Sequence, residues 1–365
     1  MELEPIMKKK TLCIYKISIT LLLIFFLPKT ASSQGHIEMV EMRDGIHLAT
    51  TIYLPSGDGP FPTLLYRTPY DDGPQFAGIA PTYYEAGIAV VTQDMRGRFE
   101  SEGTYMVFTQ DGDGELKDGF DTMQWIVNQN WSNGLIATEG NSAAGIVQYM
   151  QASANPPGLV LIAPMMGTPN LYSDGIFWDG VRRYWLSHTW LEGNDILYFE
   201  DEFANHPFED EFWASVQTRD QFNNVHTAGY HIGGWFDIFQ NGNIEGYIGY
   251  QHKGGVGAVG RQKLIIGPWT HGGYKSLTQG EMTFPDNSLK PPYPIEDVWY
   301  SMLNYYLQVN HPDIHLTPDD IPNVQYYVMG DVDEPDAPGN VWRTADDWPP
   351  EAVKVHLYLQ PNGGL

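Results

Sequence analysis

The sequence predicts an α/β protein, with a mostly parallel sheet covered by helices on both faces. Two observations lead there. Short runs rich in Val, Ile, Leu and Thr, most of them bounded by Gly or Pro, alternate with helix-like stretches from about residue 45 to 310. Strands that alternate with helices build parallel sheets whose two faces are both buried. In addition, Ser142, Asp237 and His271 each fall just beyond the end of an expected strand, where ligands bind in sheets of this kind.

The first 33 residues stand apart from this pattern. Lys8-Lys9-Lys10 precedes an apolar run over 17–27, and Ala31-Ser32-Ser33 supplies small residues for a cleavage point. This is the layout of a secretory signal peptide, so a secreted or periplasmic protein is expected. The apolar run is short for a bilayer span. Cys13, the only cysteine, lies inside this segment, so disulfides, thiolate chemistry and cysteine-based metal sites are excluded for the rest of the chain.

Strands are expected at 47–54, 63–67, 88–92, 135–139, 159–163, 225–232 and 263–266, and helices at 118–128, 144–154 and 295–307. The stretch from about 168 to 223 separates two of the strands and is too long for an ordinary connection. It is dense in aromatics, among them Tyr172, Trp185, Trp190 and Trp213, and in acids such as Asp174, Asp179 and Glu192. We expect it to form a helical cap, with most aromatics in its own core and a few lining a pocket. From 322 onward the pattern changes to strand-like runs at 323–329 and 353–359, separated by a loop rich in Pro, Gly and Asp.

The chain of 365 residues carries 45 Asp+Glu against 20 Lys+Arg, a net charge of −25. An acidic surface repels phosphate backbones and anionic headgroups. Neither nucleic acid nor, after removal of the leader, a membrane is an expected partner. Oligomeric state is left open.

Ser142 lies in Gly140-Asn141-Ser142-Ala143-Ala144-Gly145. A nucleophilic serine needs a sharp strand-to-helix turn that exposes its hydroxyl, and small neighbours relieve the strain. The alternative is an N-capping serine for the following helix. His271 ends Gly267-Pro268-Trp269-Thr270-His271, in a loop suited to a general base. His226 and His231 fall within a strand, and His188 and His206 within the cap. Asp237 closes Gly233-Gly234-Trp235-Phe236-Asp237 and can orient an imidazole or cap a helix over 238–250. A serine hydroxyl is a poor nucleophile without a base beside it and a third group to hold that base, and these residues supply all three. The order Ser, Asp, His along the chain is that of α/β-hydrolases. The backbone N–H of Ala143 and the phenol of Tyr70, in Arg67-Thr68-Pro69-Tyr70-Asp71, are candidate oxyanion donors; a core role is the alternative for Tyr70. Asp111-Gly112-Asp113-Gly114-Glu115 lacks the spacing of a calcium loop and reads as a solvated acidic loop. No metal or organic cofactor is expected.

Together, Arg67-Thr68-Pro69-Tyr70, Asp94-Met95-Arg96-Gly97-Arg98 with Ser101-Glu102-Gly103, Asp118-Gly119-Phe120-Asp121-Thr122 with Trp125, Trp131-Ser132-Asn133-Gly134, the Ser142 turn, Gly234-Trp235-Phe236-Asp237 and Gly267-Pro268-Trp269-Thr270-His271 resemble, in order, the motifs of the CocE/NonD hydrolases. That family includes cocaine esterase-like enzymes, α-amino-acid ester hydrolases and Xaa-Pro dipeptidyl-peptidases. The resemblance runs from about residue 36 to 365. It implies an α/β-hydrolase domain over 34–321 with a helical cap, followed by a C-terminal jelly-roll β-domain. It also implies Ser142, Asp237 and His271 as nucleophile, acid and base, with Tyr70 at the oxyanion.

Two departures stand out. The family usually carries Tyr directly after the nucleophile, where this chain has Ala143. A β-sandwich takes roughly 100 residues, so residues 322–365 are expected to hold only its start. The expected function is cleavage of a small-molecule ester, an amide or a short peptide through an acyl-enzyme on Ser142. A proline-specific dipeptidyl-peptidase and a non-catalytic binding protein or inactive fragment on the same scaffold are the alternatives. The cap acids either receive a substrate amine or face solvent.

Overall fold

The computed structural model describes residues 35–71, 80–334, 336–356 and 358. The expected signal peptide lies outside these residues. Ten strands form one sheet: β1 (His36–Glu41), β2 (His47–Tyr53), β3 (Phe61–Thr68), β4 (Ala89–Asp94), β5 (Ser132–Asn141), β6 (Leu159–Met165), β9 (Ala228–Phe236), β10 (Gln262–Thr270), β13 (Val324–Val328) and β14 (Val341–Ala345), in the order β1-β2-β4-β3-β5-β6-β9-β10-β13-β14. From β4 to β13 every pairing is parallel. The first strands and the last are antiparallel additions at the two edges. β7 (Phe177–Trp178) with β8 (Val181–Arg182), and β11 (Thr278–Gln279) with β12 (Met282–Thr283), are small separate ribbons.

The parallel strands are apolar on both faces because both faces are covered. Neighbouring residues on a strand point to opposite sides. Leu65, Val91, Ile136 and Ile162 join a core with α1 (Asp118–Val127) and α2 (Ala143–Ser153). Leu64, Val90, Ala137 and Leu161 join another, against α6 (Ile295–Leu307). Each buried Leu, Ile or Val among these contributes roughly 1.5–3 kcal/mol.

The long insertion begins with a π-helical turn, Leu171–Ile176, and the β7–β8 ribbon. It continues with α3 (Tyr184–Gly193), α4 (Glu200–Asn205) and short 3-10 turns at Leu197–Phe199, Glu211–Val216 and Thr218–Asn224. Its rings pack on one another: Trp213 is in contact with Tyr172, Phe177, Phe203 and Phe212. α5 (Gln240–Lys253) follows β9.

Val324–Val328, expected as a strand, joins the main sheet. It pairs in parallel with β10, Leu264–Ile266 against Val324–Tyr326, and β14 then pairs with β13. Val324 and Tyr327 are fully buried there, and β13 covers what would otherwise be an open row of β10 backbone groups. Residues 351–356 carry no regular structure, so the strand expected at 353–359 is absent among the described residues. The loop at 111–115 is also not wholly solvated. Asp111 is buried and forms an ion pair with buried Arg67, whose Nε donates to Gln93 at 2.7 Å.

Candidate active site

Ser142, Asp237 and His271 each occupy the first position after a strand, respectively β5, β9 and β10. The parallel order of the sheet brings these three strand ends to the same rim. Ser142 has φ 58° and ψ −120°, a conformation that costs a non-glycine residue energy and lifts its side chain off the turn. Its hydroxyl makes no capping bond to α2, so the capping alternative is not realised. Two glycines permit the tight turn. A Cβ on Gly140 would meet Ala144 Cβ at 2.6 Å, and one on Gly145 would meet the Met165 carbonyl oxygen at 2.5 Å.

His271 Nε2 is 2.8 Å from Ser142 Oγ, and His271 Nδ1 is 2.6 Å from Asp237 Oδ2. The carboxylate accepts the Nδ1 proton, which leaves Nε2 free to accept the serine proton. Asp237 has a fully buried side chain, and its other oxygen accepts from the Phe239 N–H at 2.7 Å. The register of β9 and β10 shifts between Gly267 and Thr270, an irregularity of the kind that re-aims the residue beside it. Phe239 packs edge-on against the imidazole at 5.5 Å.

Tyr70 follows β3 and is mostly buried. Burial raises the pKa of its phenol, and hydrogen bonding with Trp190 and with Ser142 opposes that shift. The phenol therefore stays protonated beside the serine. Ala143 is the first residue of α2, and the N–H groups of a first helical turn have no partner within the helix. Tyr70, Ser142 and Ala143 line one cavity.

A cavity of about 300 Å³ opens above these groups. Its floor and walls include Val107, Phe108, Ile146, Leu171, Ile176, Leu186, Ile238 and Phe239, with Trp190 and Ser187 from α3. The insertion therefore does supply part of the wall. Its acids do not. Asp174 turns away to accept from the Gly242 N–H at 2.9 Å, and Asp179, Glu192, Asp195 and Asp201 are exposed.

Sequence reasoning missed three residues that organise the site. Trp190 Nε1 donates to Tyr70 Oη at 2.9 Å. Arg98 donates to the Pro69 carbonyl at 2.7 Å and to the Asn194 carbonyl at 2.8 Å, tying the Tyr70 loop to the end of α3. Arg183 donates to the carbonyls of Asp174 and Ile238, at 2.7 and 3.0 Å. Burial lowers the Arg183 pKa, opposed by the charges of Asp174 and Asp237. The only signal for Arg98 was its place in the Asp94–Arg98 motif. Trp190 and Arg183 carried none that set them apart from neighbouring aromatics and cations. His188 and His206 pair with Glu200 and Asp210, and His231 is buried against Tyr149 and Gln262.

Residues 44–197 and 181–273 match the X-Pro dipeptidyl-peptidase (S15) family. The chain is 27% identical to a cocaine esterase of Rhodococcus sp. (strain MB1 Bresler), over 89% of this chain and 62% of the relative. Among solved structures it resembles an aminopeptidase from a marine sediment archaeon, Thaumarchaeota archaeon, with TM-score 0.68 and 25% identity, over 96% of this chain and 65% of the other. An α-amino acid ester hydrolase shares the fold, with TM-score 0.66 and 22% identity, over 91% of this chain and 62% of the other. The chain spans less than two thirds of the length of each of these relatives.

Proposed function

The chain belongs to the X-Pro dipeptidyl-peptidase (S15) family, and from that premise we propose that it is a serine hydrolase cleaving esters of apolar carboxylic acids. One observation carries the reading: the contacts of 2.8 and 2.6 Å that link Ser142 to His271 and His271 to Asp237 beneath an apolar cavity.

Ser142 Oγ attacks the ester carbonyl carbon while its proton passes to His271 Nε2. Asp237 holds the imidazole and stabilises its cation. The carbonyl oxygen becomes an oxyanion facing the Tyr70 hydroxyl and the Ala143 N–H. The carbon–oxygen bond to the alcohol breaks as His271 returns the proton to that oxygen, leaving an acyl-serine. Water, deprotonated by the same imidazole, then releases the acid and restores the hydroxyl. No step needs a metal or an organic cofactor.

The cavity wall favours an aliphatic or aromatic acyl group over a charged one, because an unpaired ammonium among apolar side chains is costly to bury. No described residue lining the cavity is acidic, which weighs against α-amino esters and against the dipeptidyl-peptidase alternative. The basic and apolar runs of residues 1–33 support export to a secreted or periplasmic location. Cell fractionation tests this; protein found only in the cytosol would end the idea.

The decisive experiment pairs p-nitrophenyl butyrate with an active-site fluorophosphonate. Ser142→Ala should lose on the order of 10⁴-fold in kcat while staying folded, and should no longer be labelled. Parental turnover by that variant rejects the reading. A folded parent that takes no label at all points instead to a binding protein on the same scaffold. Faster cleavage of an Xaa-Pro anilide than of the ester would favour the peptidase alternative.

A further inference from the structure

Trp190 belongs to the inserted segment, while Tyr70 belongs to the loop that follows β3 of the sheet. Their contact crosses between the two, and its direction is set by chemistry. An indole N–H can only donate, so at 2.9 Å the phenolic oxygen of Tyr70 is the acceptor. That bond occupies an oxygen lone pair and leaves the single phenolic proton to be given elsewhere. On its other side the phenol lines the same cavity as Ser142, Ala143 and His271, so the proton can be given there.

The indole is itself held in place. It stacks on Phe108 with ring centroids 6.0 Å apart and planes 22° from parallel. Asn194 Nδ2 donates to the Trp190 carbonyl at 2.7 Å. The Arg98 guanidinium binds the Pro69 and Asn194 carbonyls together, so one rigid cation fixes the backbone before Tyr70 relative to the helix end after Trp190.

We propose that Trp190 is a positioning residue that aims the Tyr70 hydroxyl at the developing oxyanion, so that the inserted segment completes the oxyanion site as well as covering it. This rests on the hydrolase reading given above. A donor aimed in advance costs no reorganisation during reaction, and its benefit falls in the transition state, on kcat and not on substrate affinity.

The test is a double-mutant cycle on p-nitrophenyl butyrate, with Trp190→Phe, Tyr70→Phe and the pair. Trp190→Phe keeps an aromatic wall and removes the N–H. Its kcat should fall by about 10-fold with KM within about twofold, and it should have no further effect once Tyr70 is Phe. Parental kcat in Trp190→Phe overturns the proposal. So does a loss carried by KM, or an equal loss with and without the Tyr70 hydroxyl. If Trp190→Phe does not fold, 3-benzothienylalanine at position 190 keeps the ring shape without the N–H and faces the same outcomes. Ser142→Ala measured alongside separates the two ideas. If it is inactive while Trp190→Phe is unimpaired, only the positioning role is lost; if it turns over normally, the hydrolase reading itself fails.

Discussion

Tyr83 donates its hydroxyl to both carboxylate oxygens of Glu139, at 2.8 and 2.9 Å, on the strand that ends just before Ser142. Burial pushes the Glu139 carboxyl up to about 7, against hydrogen bonds from Tyr83 and Trp299 that favour its charged form. Between its ordinary value of 4.5 and about 7, the folded protein holds a proton that the unfolded chain has released. The stability this group contributes is complete below 4.5 and is lost as pH rises to about 7. Glu139→Gln should therefore stabilise the protein at pH 8 by on the order of 1–3 kcal/mol and change little at pH 4.5. Urea unfolding at the two values checks it, and an offset that is the same at both would contradict the assignment.

Asp237→Asn keeps the size of a buried side chain but offers His271 an amide. The imidazole then loses the partner that fixes the proton on Nδ1. We expect kcat to drop by about 10⁴-fold at neutral pH, with melting temperature little changed. A loss below about tenfold would mean that another group orients the base.

Arg67 and Asp111 form an ion pair whose side chains are both almost wholly inaccessible to solvent. Removing one partner leaves an uncompensated charge, which typically costs 3–5 kcal/mol. Arg67→Met should lower the denaturant midpoint accordingly, and Arg67→Met with Asp111→Leu should recover much of the loss. No recovery in the double variant would argue that Arg67 acts through Gln93 instead.

Leu186 lines the cavity from α3 and is only half-buried, so a larger side chain fits without disturbing a core. Leu186→Trp should cut kcat/KM for p-nitrophenyl octanoate by about 10–100-fold while leaving the acetate within a few fold. Equal effects on both esters would move the acyl group to another part of the cavity.

The middle of this fold was readable because its local patterns agree with its pairings. The runs leading to Ser142, Asp237 and His271 are apolar on both sides and end in Gly-rich turns, and those three side chains do meet in space. Other parts rest on partners remote in the chain. β1 exposes Ile37 and buries little besides Val40, so it lacks the continuous apolar run of an inner strand. β13 looks like any short strand, and nothing local says that it belongs beside β10. Asp111 reads as one acid among several until Arg67, 44 residues earlier, is found against it. Trp190 lies among so many aromatic neighbours that only its indole N–H direction singles it out.

Ser142 and His271 are 129 positions apart and meet only once β9 and β10 have paired with the rest of the sheet. A partly synthesised chain thus holds a serine with no base beside it. On the hydrolase reading proposed above, the site is complete only when the last of the three residues has been added and folded.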